Sequence, residues 1–163
     1  MSKITGRARK FGSNIDTDNI TPAAYLHLPM EELVKHAFEP VTPEFYKTVK
    51  AGDIIVAGDN FGCGSSREVA TEVVKVLGIK YIACGSMARI YFRNCIATGV
   101  YPIIGKGVAD IVDEGDAIEI DLGQGKMKNL RTGKTVAFQP IPEAIKPILD
   151  AGGILELLKT KIK

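Results

Sequence analysis

Hydrophobic positions in the middle of the chain alternate between short unbroken runs and helical spacing. Residues 54–57 form an apolar, β-branched run, which is typical of a buried strand. Residues 69–77 place valines and a leucine at the spacing of one helix face, and Gly78 supplies a C-terminal stop. The same order recurs in a strand at 79–84, a helix at about 87–98 and a strand at 100–104. Strand–helix repeats of this length predict a largely parallel sheet with right-handed connections.

The two ends of the chain follow a different pattern. Residues 3–11 predict a short strand with one charged face. Residues 116–122 and those around 136–138 alternate with period two and adjoin hairpin-type turns, which predicts antiparallel strands that the N-terminal strand can join. Further helices are predicted over 30–38, 142–149 and 153–159, with a break at 151–153. We interpret residues 1–163 as a single α/β domain, because no repeat, linker or low-complexity tract interrupts them.

The turn after the 54–57 strand, residues 58–68, concentrates the candidate chemistry. Its three glycines indicate a backbone with positive φ or one that a ligand must approach closely. Ser65, Ser66 and Arg67, together with free N–H groups at a helix start, form an arrangement suited to an anion. The alternative is structural, since Ser65 and Glu68 have the spacing of a capping box. Arg67 disfavours that alternative, because a cation in the first turn meets the positive end of the helix dipole.

A second glycine-containing turn follows the next strand and carries Ser86 and Arg89. Ligands of open α/β sheets bind at the carboxyl ends of the strands. We therefore expect these two residues to share an edge of the sheet with Ser65, Ser66 and Arg67.

Asp16 and Asp18, two residues apart, could suggest a metal site. They lie in a stretch rich in Asx-turn residues, and the remaining positions of a calcium loop are absent. Backbone capping is therefore the favoured role for both aspartates.

Composition restricts the class of protein more than its function. The chain is 45% hydrophobic and 25% charged, and 21 Lys+Arg against 19 Asp+Glu leave a net charge of +2, which gives no reason to expect nucleic-acid binding. No signal-peptide core begins the chain and no apolar stretch is long enough to span a membrane, so we expect a cytoplasmic protein. Three cysteines fit a reducing compartment better than a disulfide framework.

The turn at 59–68, with Asp59-Asn60-Phe61 ahead of its glycines and serines, closely resembles the signature loop of the aconitase swivel domain. It is most similar to the free-standing small subunits of the 3-isopropylmalate dehydratase and homoaconitase family. Three further blocks, at 10–22, 88–94 and 151–153, extend the resemblance almost from end to end. The resemblance implies a three-layer β/β/α swivelling domain, with a mostly parallel sheet, helices and a smaller antiparallel sheet.

The resemblance also implies an activity. Members of this family remove water from a 2-hydroxy di- or tricarboxylate and return it to the neighbouring carbon, with a [4Fe–4S] cluster on a separate large subunit as the Lewis acid. The expected partners are thus that large subunit and a small carboxylate, and self-association of the lone chain stays open. Cys63, Cys84 and Cys95 lack cluster spacing, so no metal or cofactor is expected on this chain. Cys84 and Cys95 are better interpreted as small buried hydrophobes.

By the same resemblance, Ser65 matches the serine that abstracts the Cα proton of the substrate. Ser66 and Arg67 match residues that hold a substrate carboxylate, which Arg67 can bind with two parallel hydrogen bonds. The roles of Arg89 and Arg93 stay open, because arginines beside such a loop can also tie helices together.

Leu26, His27 and Leu28 match the segment that meets the distal group of the substrate in relatives. Homoaconitase-like members carry an arginine there, whereas this chain has a histidine between leucines, which favours an apolar distal group such as isopropyl or methyl. A subunit acting on 2,3-dimethylmalate, methylmalate or homoaconitate is the alternative within the family. Two further alternatives are a stand-alone anion- or nucleotide-binding module and a purely structural interaction domain.

Overall fold

The computed structural model describes residues 3–162, so Met1, Ser2 and Lys163 of the predicted domain lie outside it. Its strands are β1 (Lys3–Lys10), β2 (Ile54–Ala57), β3 (Tyr81–Cys84), β4 (Tyr101–Ile104), β5 (Ala117–Asp121), β6 (Lys126–Asn129) and β7 (Thr135–Ala137). Its α-helices are α1 (Thr17–Ile20), α2 (Met30–Leu33), α3 (Phe45–Thr48), α4 (Val69–Val76), α5 (Arg89–Thr98), α6 (Lys146–Ala151) and α7 (Ile154–Ile162). Short 3-10 turns lie at Ala23–Tyr25, Val34–His36, Val108–Ile111 and Glu143–Ile145.

The N-terminal strand β1 joins the two halves of one seven-stranded sheet, whose order is β4-β3-β2-β1-β5-β6-β7. It pairs in parallel with β2, with Ala8 opposite Ile54, and antiparallel with β5, with Ile4 opposite Ile120. The strands β2, β3 and β4 run parallel, whereas β5, β6 and β7 run antiparallel. The predicted parallel sheet and smaller antiparallel sheet are therefore confirmed, and they share β1.

Successive residues of β2 and β3 face opposite sides of the sheet and belong to two different hydrophobic cores. The helices, the parallel half of the sheet and the antiparallel half therefore form three layers. Ile55 and Ile82 pack with the helices on one side of the parallel half. Ile54 and Ala83 point the other way and pack against Ile118 of the antiparallel half, which curls over that face. Strands buried on both faces must be apolar throughout, which explains the unbroken run of β2. The three-layer β/β/α architecture is confirmed.

The helix predicted over 30–38 is shorter in the structure, because the helical backbone ends at His36 and the side chain of Phe38 turns into the core. An α-helical turn over Met30–Leu33 continues into the 3-10 turn Val34–His36. Phe38 then adopts a positive φ of 59°, donates its N–H to Ile20 O and stacks on Phe11 with ring centroids 4.6 Å apart. The helices predicted at 69–77, at about 87–98 and at 153–159 are confirmed as α4, α5 and α7. The helix predicted over 142–149 begins instead as the 3-10 turn Glu143–Ile145 and continues as α6 to Ala151, and the one-turn helices α1 and α3 are not predicted by the sequence pattern. No helix within residues 3–162 has the length and apolar character needed to cross a membrane.

Candidate active site

The segment that follows β1 holds the turn at 58–68 in place through backbone hydrogen bonds. Three backbone hydrogen bonds of 2.7, 2.8 and 3.2 Å extend the β1–β2 pairing beyond the ends of the two strands. They run from Gly62 N–H to Ile15 O, from Thr17 N–H to Cys63 O and from Gly58 N–H to Gly12 O. The position of the turn is therefore determined by the polar stretch 12–21.

Two glycines of the turn have the positive φ that the sequence predicted. Gly62 has φ +77°, and a Cβ there would lie 2.2 Å from Cγ of the buried Tyr91 ring. Gly64 has φ +104°, and its Cβ would lie 3.1 Å from Thr17 Oγ1. The groups that approach these glycines belong to the protein itself, so neither glycine indicates a ligand.

Ser65 is exposed at the top of the turn and contacts the buried side chain of Thr17. Its Oγ lies 3.1 Å from Thr17 Oγ1, and its backbone N–H donates to the same oxygen at 3.1 Å. The helix begins at Val69, after Glu68 as N-cap, and no side chain caps it. The structural alternative, in which Ser65 caps this helix, is therefore wrong.

Arg67 lies against the other end of the same polar stretch. Its Nη1 donates to Thr21 O at 3.2 Å and lies 3.6 Å from Asp18 Oδ1. The guanidinium makes no other hydrogen bond with residues 3–162. Arg67 is thus held in place by one nitrogen while its other donors stay available to an anion.

Backbone donors add to the positive character of the turn. Within the described part of the chain, the N–H groups of Ser66, Arg67, Glu68 and Val69 form no hydrogen bond with protein. Free N–H groups before a helix and an adjacent guanidinium make a suitable environment for a carboxylate. This geometry agrees with the predicted anion site.

The aspartates ahead of the turn have the capping roles that the sequence favoured. Asp16 caps α1 through a reciprocal pair of hydrogen bonds with Asn19, at 2.7 and 3.0 Å. Asp18 Oδ1 accepts the N–H of Ala23 at 2.9 Å. Because Asp18 also lies beside Arg67, one carboxylate steadies both the guanidinium and the start of the segment at 23–28.

The segment 23–28 is attached to the rest of the domain through the ring of Tyr25. Tyr25 stacks on His36 with centroids 3.6 Å apart, and His36 Nδ1 lies 2.5 Å from Glu39 Oε2. His27 is exposed, Leu26 is half-buried and Leu28 packs against the helix-side core. Contact of these three residues with a substrate stays a prediction.

The second turn meets the first, as expected from the strand order. Ser86 Oγ accepts the N–H of Asn60 at 2.7 Å, and Ser86 O accepts the N–H of Phe61 at 3.0 Å. Arg89 and Arg93 lie next to this contact on α5 and line an open cleft. Neither forms an ion pair or hydrogen bond with residues 3–162, so they do not tie helices together.

Two of the three cysteines are small buried residues of the core, as the sequence predicted. Cys84 and Cys95 are fully buried, and burial raises the pKa of Cys84 to about 12 and that of Cys95 well above its usual range. The thiolate form that binds iron is therefore disfavoured at both. Among residues 3–162, no three His, Cys, Asp or Glu side chains are placed to hold a metal ion.

Sequence reasoning did not place Thr17, Asp18 and Thr21 beside Ser65 and Arg67, which they contact in the structure. The pattern of the 12–21 stretch shows only that it is rich in turn residues. The parallel pairing of β1 with β2 brings it beneath the glycine-rich turn, because that pairing aligns the carboxyl ends of the two strands.

Comparison with known proteins agrees with the fold. Residues 3–106 match the family of the aconitase C-terminal domain. The 3-isopropylmalate dehydratase small subunit 1 of Thermotoga maritima is 49% identical over 96% of this chain and 95% of its own length. The isopropylmalate/citramalate isomerase small subunit of Methanocaldococcus jannaschii is 48% identical over 99% of this chain and 96% of its own.

A solved structure supports the same assignment. The crystal structure of 3-isopropylmalate dehydratase from Methanocaldococcus jannaschii superimposes with a TM-score of 0.91 at 42% identity, covering 99% of this chain and 96% of that one. Both coverage and identity are far beyond what a shared fold alone would give. The chain therefore belongs to the aconitase C-terminal domain family, in the group of 3-isopropylmalate dehydratase small subunits.

Proposed function

We propose that this chain is the small subunit of a 3-isopropylmalate dehydratase, a hydro-lyase that is active only together with a large subunit. The observation that carries the proposal is the match, over 96% and 99% of the chain, to small subunits named for this activity. The exposed serines and partly free arginine of the 58–68 turn are suited to two parts of the reaction, which are binding of a substrate carboxylate and removal of a proton.

Arg67 and the neighbouring backbone donors bind a carboxylate of the substrate. Thr21 O and Asp18 hold one side of the guanidinium, at 3.2 and 3.6 Å, which leaves the remaining N–H groups for a bidentate interaction. Ser66, exposed beside Arg67, contributes its hydroxyl and its free N–H to the same carboxylate. Holding this group orients the substrate's Cα–H bond toward Ser65.

Ser65 takes the Cα proton on its Oγ, and Thr17 makes that step easier. A serine is a weak base in water, so the alkoxide form must be stabilised by hydrogen bonds or positive charge. Thr17 Oγ1 accepts the N–H of Ser65, and its own proton is free to point at Ser65 Oγ. Because an alkoxide can only accept hydrogen bonds, Thr17 donates to it.

The departing hydroxyl needs an acid, and we assign that role to the large subunit. A [4Fe–4S] cluster held there would supply the Lewis acid for this group once the two subunits are assembled. The chain described here binds the carboxylate, orients the substrate and holds the proton at Ser65 Oγ.

The substrate is a 2-hydroxy dicarboxylate with an apolar distal group. Leu26 and His27 carry this part of the proposal, because neither provides the permanent charge that a third carboxylate would need. Citramalate, with a methyl group, is a second candidate, because the relative from Methanocaldococcus jannaschii is named for both isopropylmalate and citramalate. We expect the enzyme to act in the cytoplasm.

The test is a titration of the large subunit from the same genome with this chain, under anaerobic conditions. Hydration of isopropylmaleate, citraconate, dimethylmaleate and homoaconitate is measured at each ratio. We expect no activity from either chain alone, saturable activity from the mixture and the highest kcat/KM with isopropylmaleate. The control is the large subunit titrated with heat-denatured small subunit.

Two outcomes would contradict the proposal. Full activity of the large subunit without this chain would remove its catalytic role. Assembly without hydration of any of the four acids, together with phosphate or nucleotide binding by the lone chain, would favour the anion-binding module instead.

A further inference from the structure

The six arginines in the chain differ in whether they have a carboxylate partner among residues 3–162. Arg7, Arg9, Arg67 and Arg131 each lie within 4.0 Å of a carboxylate oxygen. Arg89 and Arg93 have no such partner among residues 3–162, and both are exposed. The two unpaired guanidinium groups belong to one helix, α5.

The position of these arginines is unfavourable for the helix itself. They are four residues apart, so they lie on one face, where like charges repel. Arg89 is the first residue of α5, where a cation opposes the helix dipole. Among residues 3–162 no ion pair offsets either effect, whereas carboxylates from a partner would offset both.

Arg89 and Arg93 line a cleft of about 490 Å³ beside the glycine-rich turn at 58–68. Ser86, which accepts the N–H of Asn60, and Gln139 form its polar rim. Its remaining lining is apolar and consists of Met87, Phe92 and Ile104.

We propose that this cleft, which we call the α5 cleft, docks an acidic segment of the large subunit that also carries apolar side chains. The proposal rests on the proposed function. Aromatic residues, methionine and arginine are enriched at protein interfaces, and here two arginines lie beside the partly exposed Met87, Phe92 and Ile104. A small dicarboxylate is a poorer occupant, because its charges are met by Arg67 and the free N–H groups of the 58–68 turn. Docking at the α5 cleft places the surface of the large subunit against the 58–68 turn.

The test replaces Arg89 and Arg93 with glutamate, singly and together, in the full chain. Glutamate suits the first turn of a helix, so Arg89→Glu keeps the fold intact. The association rate and Kd for the large subunit are measured at low and high salt, with kcat and KM at saturating large subunit. The matched control is Lys134→Glu, which makes the same charge change at the exposed β6–β7 turn.

We expect the Kd of the double variant for the large subunit to rise at least about tenfold. Most of this rise should come from a slower association whose rate depends less on salt. The kcat at saturating large subunit should be unchanged. Lys134→Glu should bind like the unmodified chain. Unchanged association in the double variant would overturn the proposal. So would unchanged association with a raised KM, because that result would assign the α5 cleft to the substrate. If the unmodified chain itself fails to assemble, the proposed function is wrong and the docking proposal is wrong with it.

Discussion

The hydroxyl of Thr17 is the residue-level feature on which the proposed proton transfer depends. It is buried, lies 3.1 Å from Ser65 Oγ and is fixed by the N–H of Ser65. A donor in this position stabilises negative charge on Ser65 without itself touching the substrate, so Thr17 is a positioning residue. Its role could not be predicted from the sequence, because Thr17 is one of several turn-forming residues in 12–21.

Replacing Thr17 with valine tests this role while keeping the shape of the side chain. A hydrogen bond to a charged group contributes about 1.5–3 kcal/mol, so kcat should fall about 10- to 100-fold while KM changes little. Thr17→Ser keeps the hydroxyl and should retain most of the activity. The measurement is steady-state kinetics of the assembled enzyme, and equal kcat values for the two variants would contradict the role.

Arg67 gives a second residue-level prediction. Lysine keeps the charge but cannot form two parallel hydrogen bonds, so Arg67→Lys should lower kcat/KM by about 10- to 100-fold, mostly through KM. The control is Arg93→Lys, which keeps the charge of the α5 cleft and should leave kcat/KM unchanged. Full kcat/KM in Arg67→Lys would show that the bidentate interaction is wrong.

At the scale of elements, the glycine-rich turn depends on the packing of α5 beneath it. The ring of Tyr91 fills the space where Gly62 has no side chain, and its hydroxyl donates to Ala70 O at 3.1 Å. The turn, α4 and α5 are thereby connected. Sequence patterns predicted each of these elements, because strand and helix periods are local. The contact between Gly62 and Tyr91 is not local, and the sequence predicted only that the glycine was needed.

Gly62→Ala should therefore destabilise the protein. A left-handed φ costs a non-glycine residue about 1–2 kcal/mol, and the overlap with Tyr91 adds to it, so we expect a loss of about 2–4 kcal/mol. Gly12→Ala is the control, because its Cβ would point into open space. Urea unfolding of the lone chain measures both. Equal stability of the two variants would contradict this account of the turn.

At the scale of the whole molecule, the resemblance to the aconitase swivel domain implied the three-layer architecture, while the change from strand–helix to strand–strand patterning predicted a parallel sheet and antiparallel strands that the N-terminal strand can join. What the sequence did not predict is that β1 also pairs with β2, which joins the two halves into one sheet and positions the 12–21 segment under the turn. Pairing between strands that are distant in sequence leaves no local pattern. The surface around the 58–68 turn is open, with Ser65 and Ser66 both exposed, which agrees with the proposal that a partner subunit covers it.

The measurement that tests the central claim most directly is kcat of the assembled enzyme with Ser65→Ala, alongside its Kd for the large subunit. A general base contributes typically 10²- to 10⁴-fold, so we predict a loss of about this size in kcat with an unchanged Kd. Ser66→Ala, the matched control, should raise KM more than it lowers kcat. If Ser65→Ala retained kcat within about threefold while assembling normally, Ser65 would not be the base and the proposed mechanism would be wrong.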